Sequence, residues 1–186
     1  VIVVVLSTPS SPSLVSWLIR KITRFKATHA SIHIKGRGMF AGSRLIFEST
    51  SHGVSLVHPS TWDKNNRAVF AYEMVGENEA GAVGLRETWK LLGADYDYLG
   101  LFHFGWRMLM DRIFGVKVDA PITQDTLFCS ELVARWLNEV KTQLGIPLGT
   151  LRPDEVSPAG LSIELERSDL FRSLPCEELS LSAIFT

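Results

Sequence analysis

Thr126-Leu127-Phe128-Cys129-Ser130-Glu131-Leu132-Val133 sets a cysteine at the mouth of a strongly amphipathic helix. Apolar residues Leu132, Val133, Trp136, Leu137, Val140 and Leu144 recur at three-and-four spacing, while Arg135, Asn138, Glu139 and Lys141 fall on the other side. The pattern predicts a helix that ends near Gly145 and Pro147, with Asp125 or Thr126 as its cap. Cys129 then falls in the first turn, where unpaired backbone N–H groups and the positive end of the helix dipole favour a thiolate over a thiol. Leu132 and Val133 lie three and four residues on, so the cysteine shares the inward face. For a lone cysteine the commoner explanation is burial in a core. The residues upstream argue for something more.

Val1-Ile2-Val3-Val4-Val5-Leu6 is a β-branched run bounded by Ser7-Thr8-Pro9, which suits a strand covered on both faces. Ser13 then caps a helix whose apolar positions Leu14, Val15, Leu18, Ile19, Ile22 and Phe25 keep helical period, with Arg20, Lys21 and Arg24 outward. After Lys26 the period becomes two: Ala30, Ile32 and Ile34 alternate with His29, Ser31 and His33 up to a turn at Gly36-Arg37-Gly38. A second extended run, Arg44-Leu45-Ile46-Phe47-Glu48-Ser49, pairs most economically with it as an antiparallel neighbour, which brings Glu48 near His29. Further strands are expected at Gly53 to His58 and Ala68 to Met74, separated by a polar turn at Asp63-Lys64-Asn65-Asn66. From Glu77 a helix with Val83, Leu85, Trp89 and Leu92 on one side stops at Gly93. Asp95-Tyr96-Asp97-Tyr98 leads into an aromatic helical stretch, Leu99 to Phe114, which reads as buried or as an apolar binding wall. Beyond the Cys129 helix, Leu151 to Pro158 reads as an ordered loop and Asp169 to Thr186 as a weakly patterned tail.

With 186 residues, 46% hydrophobic and 21% charged, one globular α+β domain is the expectation. A net charge of -1 without a long basic run argues against nucleic acid as the partner. Cys129 and Cys176 are too few for a disulfide framework, and pairing them would consume the candidate nucleophile. Tyr98 to Val118 is broken by His103, Arg107, Asp111 and Arg112, so no transmembrane segment is expected. Val1 opens the chain without a Met, which leaves room for a processed form, an excised domain or a lost targeting segment.

A cysteine that attacks a carbonyl needs a base to take and return its proton, and a third group to orient that base. Cys129, His29 and Glu48 supply those types, in an order along the chain that is irrelevant to geometry. A carboxylate in an otherwise apolar strand must also find a partner or water. The competing assembly is a zinc site from His29, His33, His52, His58 and Cys129. In a strand, however, His29 and His33 stand about 13 Å apart, so the first two cannot share one metal.

In several places the chain resembles the NlpC-type papain-like cysteine peptidase superfamily, in the circularly permuted branch that also holds lecithin:retinol acyltransferase-like proteins. Thr28-His29-Ala30-Ser31-Ile32-His33-Ile34 is similar to that branch's Ser/Thr-His strand, and Leu45-Ile46-Phe47-Glu48-Ser49 to its Glu-bearing strand. Gly53-Val54 resembles the next strand start, Tyr96-Asp97 the Tyr-Asp pair, and Phe128 to Val133 the Cys-Ser-Glu-Leu-Val helix start. Ser7 to Arg20 is similar to the opening strand and helix; coverage is about residues 1 to 140, with 151 to 186 unmatched. The resemblance implies a papain-like fold with an antiparallel sheet packed against helices. It implies Cys129 as nucleophile, His29 as base and Glu48 as the residue orienting the imidazole, with Tyr96 and Ser130 as substrate or oxyanion contacts. Backbone N–H groups at the helix start are the natural oxyanion donors.

The expected activity is hydrolysis of a peptide or isopeptide amide through a thioester, with peptidoglycan stem peptides as the leading substrate and no metal or organic cofactor. Lipid acyl transfer or (thio)ester hydrolysis is the alternative, because the aromatic stretch Leu99 to Phe114 suits an acyl chain as readily as a peptide. A non-catalytic binding module on the same fold is the third reading. A bacterial envelope or a phage virion, as part of a larger protein or assembly, are the settings the resemblance suggests.

Overall fold

The computed structural model describes residues 1–11, 14–36, 43–76, 78–96, 106, 110, 114–115, 126–148, 152–153 and 156–175. It is a mixed α+β structure built on one six-stranded antiparallel sheet. Strand β1 (Ile2–Pro9) lies inside it, between β2 (His29–Lys35) and β5 (Asn66–Met74). The order continues through β3 (Arg44–Thr50) and β4 (Gly53–Val57) on one side and ends at β8 (Phe171–Leu174) on the other. Two-residue strands β6 (Asp95–Tyr96) and β7 (Thr126–Leu127) form a separate parallel pair.

The β-branched run of β1 is buried on both faces, as its composition predicts. Ile2, Val4 and Leu6 join Ala30, Ile32 and Phe47 in the larger core, which α4 (Cys129–Gln143) covers with Leu132, Val133, Trp136, Leu137 and Val140. Val3 and Val5 face the other way and meet Ile46, Ala71 and Trp62. Trp62 belongs to α2 (Pro59–Asn65), where a polar turn is the sequence expectation. A helix forms there because His58 caps it through Nδ1, Pro59 occupies its first turn, and the indole is buried against the sheet.

Helix α1 (Leu14–Thr23) follows β1, and α3 (Asn78–Thr88) continues as a 3-10 turn over Trp89–Leu91. Trp89 and Leu92 are exposed and so do not extend the apolar face expected of them. Gly84 lets α3 approach α4, since a Cβ there would press within 3.1 Å of Trp136 and Val140. Trp136 Nε1 donates to Gly81 O at 3.1 Å, tying the two helices together. Gly53, with φ 86, brings the start of β4 against Ala94 O, which accepts from Val54 N at 2.9 Å. That contact fixes β6 beside the sheet.

Two elements lie in the segment after α4 that the sequence pattern leaves as loop and tail. Ser157 caps α5 (Pro158–Arg167), and Phe171–Leu174 adds the edge strand β8 to β5. Buried Tyr72 donates to Glu166 Oε1 at 2.9 Å and shares a hydrogen bond with Ser162, while Lys141 pairs with Glu164; together they pin α5 to the body. Of the aromatic stretch Leu99 to Phe114, only Trp106, Met110 and Phe114 are described, and Trp106 and Phe114 are exposed. Ser13, the turn at Arg37 and Gly38, Asp125, Cys176 and the last ten residues lie outside the described residues. Among the described residues no helix is long and apolar enough to cross a membrane.

Candidate active site

Helix α4 begins at Cys129 because Phe128 before it is extended (φ -97, ψ 164) and occupies the N-cap position. Phe128 contributes no side-chain cap, and Thr126, one of the two expected caps, lies in β7, two residues before the N-cap position. Phe128 sends no capping oxygen of its own to the first-turn N–H groups, and their partial positive charge lies around the sulfur. Cys129 is 6% exposed, and its Sγ lies 4.0 Å from the carbonyl oxygen of Thr28. The helix thus delivers the thiol to the residue that precedes His29.

His29 opens β2, so its ring stands at the end of the sheet, where groups from the helix layer can reach it. The β2–β3 register sets Ser31 opposite Glu48, which makes His29 and Glu48 diagonal neighbours on one face. His29 Nε2 bonds Glu48 Oε2 at 2.8 Å, and the two side chains are 14% and 8% exposed. With Nε2 committed to the carboxylate, Nδ1 is the ring nitrogen left for the sulfur.

Burial alone pulls the His29 imidazole down from 6.5. A hydrogen bond to Cys129 and the attraction of its charge, followed by the same two interactions with Glu48, outweigh that and push His29 up to about 10. Burial pushes the Cys129 thiol up, but the hydrogen bond and charge of His29, with the backbone N–H groups of Ala30 and Ser130, hold it below 9.0. Both shifts favour the same state, a thiolate beside an imidazolium that is in turn held by a carboxylate.

The remaining candidates, Ser130 and Tyr96, are placed by the helix start and by a strand pair. Ser130 is buried, and its hydroxyl donates to Val156 O at 2.7 Å, so the part of Ser130 directed at the sulfur is its backbone N–H. Tyr96 pairs with Leu127 in the β6–β7 ladder, two residues before Cys129. Asp97 lies outside the described residues. Two contributors escape sequence reasoning, the Thr28 carbonyl and the Ala30 N–H, because a backbone group leaves no residue-type signal.

Of the other histidines, His33 is buried, its Nε2 bonds Ser31 Oγ at 2.9 Å, and its ring packs edge-on to Trp62 with centroids 4.8 Å apart. His58 caps α2. Among the described residues, no three His, Cys, Asp or Glu side chains gather as metal ligands. Compared with models of known protein families and with curated proteins, the chain matches none.

Proposed function

We propose that this chain is a cysteine-dependent hydrolase that cleaves a peptide or isopeptide amide bond on a papain-like, circularly permuted fold. The observation that carries the reading is the Glu48–His29 pair, 2.8 Å apart, with the His29 ring and the Cys129 thiol each shifted by the other toward the ion pair. A merely structural cysteine in an apolar core would have its pKa raised, not lowered.

Cys129 Sγ attacks the carbonyl carbon as thiolate, and the oxyanion that forms is met by N–H groups at the start of α4. The His29 imidazolium then protonates the departing amine, which leaves an acyl thioester on Cys129. In the second half His29, now neutral, takes a proton from water as that water attacks the thioester. It returns the proton to sulfur on collapse. Glu48 holds the ring in one orientation and balances its charge throughout.

Peptidoglycan stem peptides are the leading substrate through the resemblance of the chain's motifs. The test is a side-by-side assay of the full chain on muropeptides and on fatty-acyl esters and thioesters, with intact-protein mass measured during turnover. Release of a free amine from the peptides, with a transient acyl adduct on Cys129 that vanishes in Cys129→Ala, is the expected result. Turnover of the acyl esters alone would move the assignment to the lipid acyltransferase or thioesterase class. No adduct and no turnover on any substrate would leave a non-catalytic module.

A further inference from the structure

The chain's charge is segregated. Seven Lys and Arg residues and not one Asp or Glu precede Glu48, although the whole protein is near neutral at -1. Four of those cations fall between positions 20 and 26, and Arg20, Lys21, Arg24 and Lys26 are all exposed. On the same side of α1, one turn earlier, Trp17 holds its indole 54% exposed. Positions 17, 20 and 21 are spaced by three and four, so the indole and two cations form one continuous face, with Arg24 just past the helix end. Among the described residues no carboxylate pairs with any of them.

A single exposed apolar side chain is ordinary, but an indole set among four cations makes a mixed apolar and basic face, for which a protein core is the wrong cover. Near-neutral overall charge, with no long basic run, argues against nucleic acid as the cover. One occupant satisfies both halves of the face: an anionic lipid surface, where indoles settle at the headgroup boundary and each cation gains from the negative surface potential. We propose that α1 docks the protein on an anionic lipid bilayer.

The helix is coupled tightly to the site. Arg24 closes it in a left-handed conformation (φ 54), its N–H bonding Arg20 O at 2.9 Å. Phe25 then stacks on Phe70, with centroids 5.2 Å apart, and Thr28 N bonds Ser7 O at 2.8 Å. Thr28 is the residue whose carbonyl faces Cys129 Sγ. Docking α1 therefore anchors to the bilayer the segment that leads directly into Thr28 and His29.

The experiment is co-sedimentation of the full chain with vesicles of phosphatidylglycerol and of phosphatidylcholine, at low and raised salt. Wild type is expected to sediment with the anionic vesicles only, and less as salt rises. Arg20→Gln with Lys21→Gln should lower partitioning about twenty-five-fold, at roughly fivefold per cation removed. Trp17→Ala should also lower it, and Cys129→Ala should bind like wild type, which separates docking from catalysis. Sedimentation with neither vesicle, equal sedimentation with both, or undiminished binding by the double variant overturns the proposal. So does weakening by the double variant but not by Trp17→Ala. Retention of soluble DNA or heparin without vesicle binding overturns it too.

Discussion

His29 and His33 lie four residues apart on the same strand and the same face of the sheet, and they end in opposite states. Burial pulls both down from 6.5. At His29 the thiol and the carboxylate reverse that and push the ring up to about 10. At His33 the hydrogen-bond partner among the described residues is a neutral hydroxyl, the neighbouring charge is that of His29, and the ring falls to about 3. Position in a strand therefore says little about a histidine's chemistry. What decides is whether an anion can reach it: Cys129 and Glu48 act on His29 at the end of β2, while His33 packs on Trp62.

Removing the anion or the base should break the contrast most severely. Cys129→Ala and His29→Ala are each expected to abolish turnover, a loss of about 10⁴-fold or more measured as kcat on the cleaved substrate. In Cys129→Ala the His29 ring, stripped of its strongest raising partner, should titrate well below about 10 by NMR, moving toward its sister. Glu48→Gln keeps the shape but removes the charge behind the ring. It should cost about 10²- to 10⁴-fold in kcat and lower the alkaline limb of the pH profile, because the imidazolium then deprotonates at lower pH.

The other half of the comparison is tested by stability. The His33 ring titrates near 3 when folded and near 6.5 when unfolded, so below pH 6.5 the unfolded chain binds the extra proton. Stability is then lost as pH falls from 6.5 toward 3, by up to about 1.4 kcal/mol per unit. His33→Phe should retain activity, keep the edge-on contact with Trp62 and flatten that acid slope in urea titrations. The smallest effect is expected at Ser130→Ala, which strands the Val156 carbonyl and should cost about 1 kcal/mol of stability while leaving the N–H at the sulfur intact.

The parts of this site that are side chains on regular elements are legible in the sequence. The strand carrying His29, the strand carrying Glu48 and the amphipathic helix headed by Cys129 all announce themselves by period. The backbone donors do not, since an N–H aimed at sulfur depends on how two elements meet. Trp62 hides in a segment whose polar residues outnumber its single anchor, so α2 reads as a turn. Strand β8 is set by pairing with β5, supported by Arg172 against Glu73, and no alternation within Phe171–Leu174 advertises it. Helix α5 did carry a signal, Ser157-Pro158, the cap-and-first-turn pair that its structure uses.

The most direct measurement is the rate of Cys129 alkylation against pH in a Cys176→Ser background, with and without His29→Ala. Wild type should react along a curve whose inflection lies below that of a free thiol, because the thiolate already exists beside the imidazolium. In His29→Ala the inflection should move above it, because burial then acts unopposed. Superimposable curves for the two proteins would mean that the imidazole does not act on the sulfur, and the relay would have to be abandoned.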